Sequence, residues 1–268
     1  MKKRILLTFT VLFTALTGAL ADGYGLTIAG VEVTDANKAD LTAAINASGN
    51  GTATGTIAYD SNTKTLSLNA ATITTSTQNF AIQTLDNLTI STTGNCTVEG
   101  GAFQAIVLGN DDANSVDLTF TGSGTLTLTK GIYINNASAE HNFVLDNTSL
   151  VVQGNISNSG WYKLTVNKSN LTVSGNMCVN GDWGLITLTD ATISAPSGAA
   201  LDETNTAIVV GSDYANGVTI VATTSTGIQH VDAAVKADAP VFDLQGRRVQ
   251  NPKAGGLYIV NGRKVMVQ

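Results

Sequence analysis

Trp161 and Trp183 are the two tryptophans of a 268-residue chain, and they stand 22 residues apart. Tyr162 follows the first directly, and His141 comes 21 residues before Tyr162. Aromatic side chains set one repeat apart would form a ladder whose flat faces can stack on the apolar face of a sugar ring. The same residues could instead fill corners over the ends of strands. Trp161, Trp183, Tyr162 and His141 are therefore the candidate carbohydrate-binding set. Asp111 and Asp112, with Asp117 and Glu140, lie in two segments that are longer than their neighbours. Carboxylates on loops are hard oxygen ligands that suit Ca²⁺, so Asp111 and Asp112 are the candidate metal ligands and calcium the candidate cofactor. Solvated loop charge is the competing reading.

Bond-breaking chemistry finds less support. A glycoside hydrolase needs two carboxylates at a set separation. Here Asp111-Asp112 and Asp202-Glu203 are neighbours in sequence. On a strand, neighbours point to opposite faces. A polysaccharide lyase needs a cationic base, yet no arginine lies between Arg4 and Arg247. His141 and His230 are the two histidines, and neither sits in a nucleophile or metal-ligand spacing. With six lysines between those arginines, such a surface cannot neutralise a run of phosphates, which excludes nucleic acid as an expected partner.

The elements that would position these residues are written as a repeat. FVLDNTSLVVQGNI (143–156), LTVNKSNLTVSGNM (164–177) and ITLTDATISAPSG (186–198) share one pattern. Leu145, Val166 and Leu188 align at steps of 21 and 22, and Leu150, Leu171 and Ile193 follow five places later. Gly154-Asn155 and Gly175-Asn176 mark corners 21 apart. A fixed period in this range with short apolar alternations is the signature of a stacked solenoid. Thr, Val and Ile suit a pleated surface, and the Gly, Asn, Asp and Ser that interrupt them supply turns. One such unit cannot bury its own apolar face, so stacking must do it. The expected fold is all-β: a parallel β-helix of seven or eight coils. Stacked Asn and Asp at the corners, among them Asp146, Asn167 and Asn155/Asn176, are expected to form hydrogen-bonded ladders. The whole stretch resembles right-handed parallel β-helix proteins.

Residues 1–21 combine Lys2, Lys3 and Arg4 with a short apolar run and an Ala-Leu-Ala end, which reads as a secretory signal peptide. Its removal moves the formal charge from −6 to −9. No other stretch is apolar enough to span a membrane. The expected location is extracellular or the outer cell surface. The β-helix is expected over 22–229, with residues 22–55 capping its first coil. That cap should hold a strand pair near Leu26–Val33, then a helix from Asp35 or Ala36 to Ile45 with Asp35 as N-cap. Residues 46–55 read as a turn-rich connection. Leu66 and Leu68 align with Leu88 and Ile90 at a step of 22, and the next step, to Leu118 and Phe120, is 30. Cys96 and Cys178 fall about three coils apart, ~14 Å at ~4.8 Å per coil, too far for a disulfide. Cys96 and Cys178 are expected to be free, buried thiols.

Residues 230–240 read as a linker and 241–268 as a small β module. There Asn261-Gly262 joins two apolar runs, a strong hairpin signal. The module, through FDLQGRRV, GLYIVNG and KVMVQ, resembles the carboxy-terminal sorting module of proteins exported by type IX-like systems, which implies secretion machinery as a partner. The opening, through LTIAG (26–30), IAYD (57–60) and TLSLN (65–69), resembles bacterial secreted proteins with a carbohydrate-binding domain. That resemblance implies a polysaccharide or cell-surface glycan as ligand. The expected function is a secreted or surface-exposed, non-catalytic β-helix that binds carbohydrate. A polysaccharide-active lyase or hydrolase of the same fold, and a structural adhesin without a small ligand, are the alternatives.

Overall fold

The structure, a computed structural model, describes residues 23–75, 78, 80–109, 116–134, 141–158, 162–177, 184–223, 240–260 and 263–266. The chain divides into two compact units at Thr223/Thr224.

The first unit is a β-solenoid of about four turns. It opens with β1 (Leu26–Ile28), β2 (Val31–Glu32), the helix α1 (Leu41–Ser48), β3 (Gly51–Asp60), β4 (Thr65–Thr75) and β5 (Phe80–Thr84). Three coils follow, each of three strands: β6 (Leu88–Thr93), β7 (Asn95–Glu99) and β8 (Gln104–Leu108); β9 (Leu118–Thr121), β10 (Thr125–Leu128) and β11 (Gly131–Ile134); β12 (His141–Asp146), β13 (Ser149–Val152) and β14 (Ile156–Asn158). Then come β15 (Tyr162–Asn167), β16 (Asn170–Val173) and β17 (Leu185–Thr189). Equivalent strands stack in parallel. The first half of β4 pairs with β6 and its second half with β7, so one strand turns the corner between two faces.

The register produces ladders of like residues. Leu88, Leu118, Phe143, Leu164 and Ile186 lie in line on one inner face. Ile73, Val98, Leu128, Val152 and Val173 line the second. Ile82, Ile106, Ile132 and Ile156 line the third. All are buried in one continuous core. Each such side chain taken from water contributes ~1.5–3 kcal/mol. The alternate residues face outward as hydroxyl columns: Thr65, Thr89, Thr119, Val144, Thr165 and Thr187 on one face. Branched residues are stiff at χ1 and fit this pleated stack from either side.

The corners explain the polar punctuation. After the first strand of each coil one residue is left-handed: Ala70, Gly94, Gly122, Asn147, Lys168 and Asp190, with φ from 45° to 102°. The expected ladders are present. Asn167 Nδ2 donates to Asp146 Oδ1 at 2.7 Å, and Asn176 N donates to Asn155 Oδ1 at 2.9 Å. Gly131, Gly154 and Gly175 are small because neighbouring coils touch there. A Cβ on Gly154 would stand 2.6 Å from Gly131 N.

The Leu145–Val166–Leu188 and Leu150–Leu171 alignments hold. So do the 30-residue step from Leu88 to Leu118 and the 25-residue step from Phe120 to Leu145. Leu66, however, pairs with Ile90 rather than Leu88. A shift of two residues keeps every side chain on its face, so the alternation alone could not separate the two registers. The expected seven or eight coils are about four. After β18 (Ala191–Ala195) the chain leaves the parallel stack for an antiparallel sheet of β19 (Ala199–Leu201), β20 (Ile208–Val210) and β21 (Asp213–Tyr214). It returns as β22 (Thr219–Ala222), which runs antiparallel between β16 and β18. Ile220, and not Ile193, therefore sits against Leu171.

At the other end, β1 pairs antiparallel with β5 and β3 with β4. The helix begins at Leu41, with Asp40 accepting from Ala43 N at 3.0 Å, later than the expected Asp35 cap. Local side chains hold the preceding turn: Asn37 Oδ1 accepts from Thr34 N, and Asp35 binds Lys38 and Tyr24. Such bonds offer the backbone an alternative to helix. Leu41 and Ile45 are buried as expected, and Gly49 ends the helix at φ 74°. Residues 51–55, read as connection, belong to β3. Their glycines serve close approach and a bulge instead: Gly55 has φ 74° at a register shift, and a Cβ on Gly51 would meet the Thr74 carbonyl.

Cys96 is a free, buried thiol in the column of Leu126, Leu150 and Leu171. Cys178 lies outside the described residues. Among the described residues no helix is long and apolar enough to cross a membrane.

The second unit contains a four-stranded antiparallel sheet in the order β24 (Arg248–Val249), β23 (Val241–Phe242), β25 (Leu257–Val260), β26 (Arg263–Met266). Val260 pairs with Arg263, so β25 and β26 form the hairpin expected across positions 261–262. In the FDLQGRRV segment, Asp243 Oδ1 accepts from Gln245 N and Arg247 N, and Arg247 Nε donates to Asp243 Oδ2 at 2.7 Å. The Arg247 amide, first, and then its guanidinium hold the Asp243 carboxyl below the usual carboxylate range. This motif builds its own tight turn.

Candidate functional site

His141 and Tyr162 open β12 and β15 and pair in register, as their spacing implies. Their rings stack at 4.8 Å with 15° between planes. The pair is interior: His141 is 0% exposed and Tyr162 1%. A sugar ring has no access to either side chain here, which corrects their assignment to an exposed platform. The physical reason is parity. His141 shares the inward set of Phe143 and Leu145, and Tyr162 that of Leu164 and Val166. Nδ1 of His141 accepts from Val116 N at 2.7 Å, and burial pushes the imidazole below its ordinary pKa. Burial also pushes the Tyr162 phenol up. Neither group is placed to exchange protons with a substrate.

Trp161, Trp183, Asp111, Asp112, Glu140 and His230 lie outside the described residues. Their surroundings are defined in part. Gly184 N donates to Tyr162 O at 2.5 Å, and Lys163 pairs with Leu185, so the 22-residue step holds to the positions that follow each tryptophan. Asp117 belongs to a polar ladder: its amide donates to Asn87 Oδ1, and its Oδ1 accepts from Asn142 N at 2.8 Å and Nδ2 at 3.0 Å. Among the described residues no three His, Cys, Asp or Glu side chains gather as a metal site. Asp202 is a turn former. Its carboxylate accepts from Thr204 and Thr206 hydroxyls and from the amides of Thr206 and Ala207. The Thr204 hydroxyl, first among these, helps to lower its pKa to about 2. A carboxylate held ionised in this way is no general acid.

Protein-family models, curated proteins and solved structures give no match to this chain.

The structure adds a site that spacing could not reveal. A cleft of about 580 Å³ opens at the first coil between Tyr24, Tyr59, Ser61, Lys64, Leu85 and Asp86. The two tyrosine rings are tilted at 50° with centroids 5.4 Å apart. Tyr24 Oη donates to Asp35 Oδ1 at 2.5 Å and accepts from Lys38 Nζ at 3.1 Å, which fixes that ring. Lys38 also donates to Ser61 Oγ at 3.0 Å. Lys64 Nζ lies 2.6 Å from Asp86 Oδ2. Tyr59 is 7% exposed and forms the floor, and burial raises its phenol pKa. Leu85, 42% exposed, leaves an apolar lip. These residues come from positions 24, 59, 61, 64, 85 and 86, and only the β1–β5 and β3–β4 pairings bring them together. No local pattern announces them.

Proposed function

We propose that this chain is a secreted or surface-exposed, non-catalytic β-solenoid that binds carbohydrate. The observation that carries the reading is the 22-residue register between β15 and β17, which runs up to Tyr162 and Gly184, the residues after Trp161 and Trp183. Alternation carried back one place from Tyr162, whose side chain points inward, assigns both tryptophans the outward parity. Two outward indoles about 4.8 Å apart would make a stacking face for a sugar chain. The hydroxyl columns on the outer sheet faces offer such a polymer neutral partners. The signal-like residues 1–21 supply export, and residues 241–268 supply a module similar to an export address.

Affinity electrophoresis of residues 22–268 in gels cast with neutral or acidic polysaccharide tests this. Retardation is expected in at least one gel, with loss of retardation in a Trp161→Ala/Trp183→Ala variant that melts like the parent. Release of new reducing ends from the retarding polysaccharide would favour the lyase or hydrolase reading instead.

A further inference from the structure

We propose that the cleft at the first coil is a second, separate carbohydrate subsite that takes a single neutral hexopyranose ring. This inference rests on the carbohydrate reading above and names a place for it away from the tryptophans. The volume of about 580 Å³ lies inside the ~300–1,000 Å³ range of small-ligand sites.

Three features select the ligand class. First, the walls divide by polarity as a sugar does. Leu85 and the tyrosine rings offer apolar surface for the C–H face of a pyranose, while the opposite side carries Lys64, Asp86 and Ser61. Second, Lys64 and Asp86 set a donor beside an acceptor at 2.6 Å. Vicinal hydroxyls can each accept and donate, so one can give its proton to the Asp86 carboxylate while its neighbour accepts from the Lys64 ammonium. Third, the charges oppose an acidic ligand. Lys64 is balanced by Asp86 and Lys38 by Asp35. The Glu32 carboxylate lies against Gly23 at the rim with no cation assigned to it among the described ion pairs. A uronate or a sugar phosphate would meet net negative charge. The site is also preformed. The Tyr24–Asp35–Lys38–Ser61 chain of hydrogen bonds holds one wall before any ligand arrives, which lowers the entropy lost on binding. Gly25, at φ 62°, leaves the entrance beside Leu85 clear, since a Cβ there would stand 3.3 Å from Leu85 Cβ.

The test is amide chemical-shift titration of ¹⁵N-labelled residues 22–268. The probes are methyl glycosides of glucose, galactose, mannose and N-acetylglucosamine, with methyl galacturonoside as the acidic control. The expected result is saturable shifts at Gly25, Ser61 and Leu85 with at least one neutral glycoside. An Asp86→Asn or Leu85→Ser variant should weaken that titration at least tenfold, while Trp161→Ala/Trp183→Ala leaves it unchanged. Asp86→Asn keeps the shape of the residue, so a folded variant is available even if Leu85→Ser is unstable. Shifts confined to other residues, equal binding by Asp86→Asn, or preference for the galacturonoside would overturn the subsite. If the cleft variants bind polysaccharide gels as the parent does and no glycoside shifts the cleft, the subsite fails and the carbohydrate reading stands. If the parent binds neither glycoside nor polysaccharide, both fail together.

Discussion

Replacing Gly154 by alanine tests how closely the coils are stacked. Gly154 follows β13 at the corner before β14, and its φ is not in the left-handed region, so alanine is allowed by the backbone itself. The obstacle is the neighbouring coil. A Cβ at this position would stand 2.6 Å from Gly131 N, 3.0 Å from Gly131 Cα and 3.0 Å from Lys130 C. All three atoms are main chain, so no side chain can swing aside. The coil must move, and its hydrogen bonds resist: Ile132 N donates to Asn155 O at 2.9 Å and Gln153 N to Leu128 O at 2.8 Å. Overpacking of this kind costs ~1–3 kcal/mol. The reduced freedom of the unfolded chain returns about 0.4–1 kcal/mol. The net expectation is a loss of roughly 1–2 kcal/mol, or about 2–8 °C in Tm for a domain of this size. Urea unfolding followed by circular dichroism measures it. Gly175→Ala is the companion: its Cβ falls on Asn155 Oδ1, a side-chain atom that can rotate away. Pairing it with Asn155→Ala should recover part of its loss, whereas no single side-chain truncation should rescue Gly154→Ala. A Gly154→Ala chain as stable as the parent would refute the stacking argument.

Three further outcomes follow from named residues. His141 is held below its ordinary pKa by burial. As pH falls through about 6.5 the unfolded chain takes up this proton before the folded chain does, so stability should fall between pH 7.5 and 5. His141→Phe should flatten that part of a denaturant-versus-pH profile. Lys168 pays for a left-handed φ of 47°. Lys168→Gly should stabilise by up to ~1 kcal/mol, because relief of ~1–2 kcal/mol exceeds the glycine entropy cost of ~0.5–1, and Lys168→Val should destabilise. In a Cys178→Ser chain, Cys96 should react with a thiol reagent only at the rate of unfolding, since it is 1% exposed beneath Leu126; fast native labelling would contradict its core position.

Much of the fold was legible because a solenoid writes its geometry into the period of the sequence. The Leu145–Val166–Leu188 column, the Asp146–Asn167 ladder and the 30-residue step at Leu118 all follow from spacing plus alternation. What spacing could not fix was whatever parity leaves degenerate. Leu66 could stack on Leu88 or Ile90 with the same face inward, and the structure takes Ile90. Nor could spacing reveal that β22 enters antiparallel and displaces Ile193 from Leu171, because Ile220 carries the same apolar signal in either direction. The candidate site was legible only in part. Parity alone already placed His141 and Tyr162 inward with Phe143 and Leu164, and attention to ring type hid it. The Tyr24–Tyr59 cleft has no sequence signature, since its walls come from segments up to 62 residues apart.

The most direct test of carbohydrate binding is a glycan-array screen of residues 22–268, with and without calcium, beside the Trp161→Ala/Trp183→Ala variant. The expected result is binding to a defined set of glycans that the variant loses. Dependence on calcium would add the Asp111-Asp112 segment to the site. Absence of binding to every glycan would contradict the carbohydrate reading and leave a surface rod that meets protein partners as the better account.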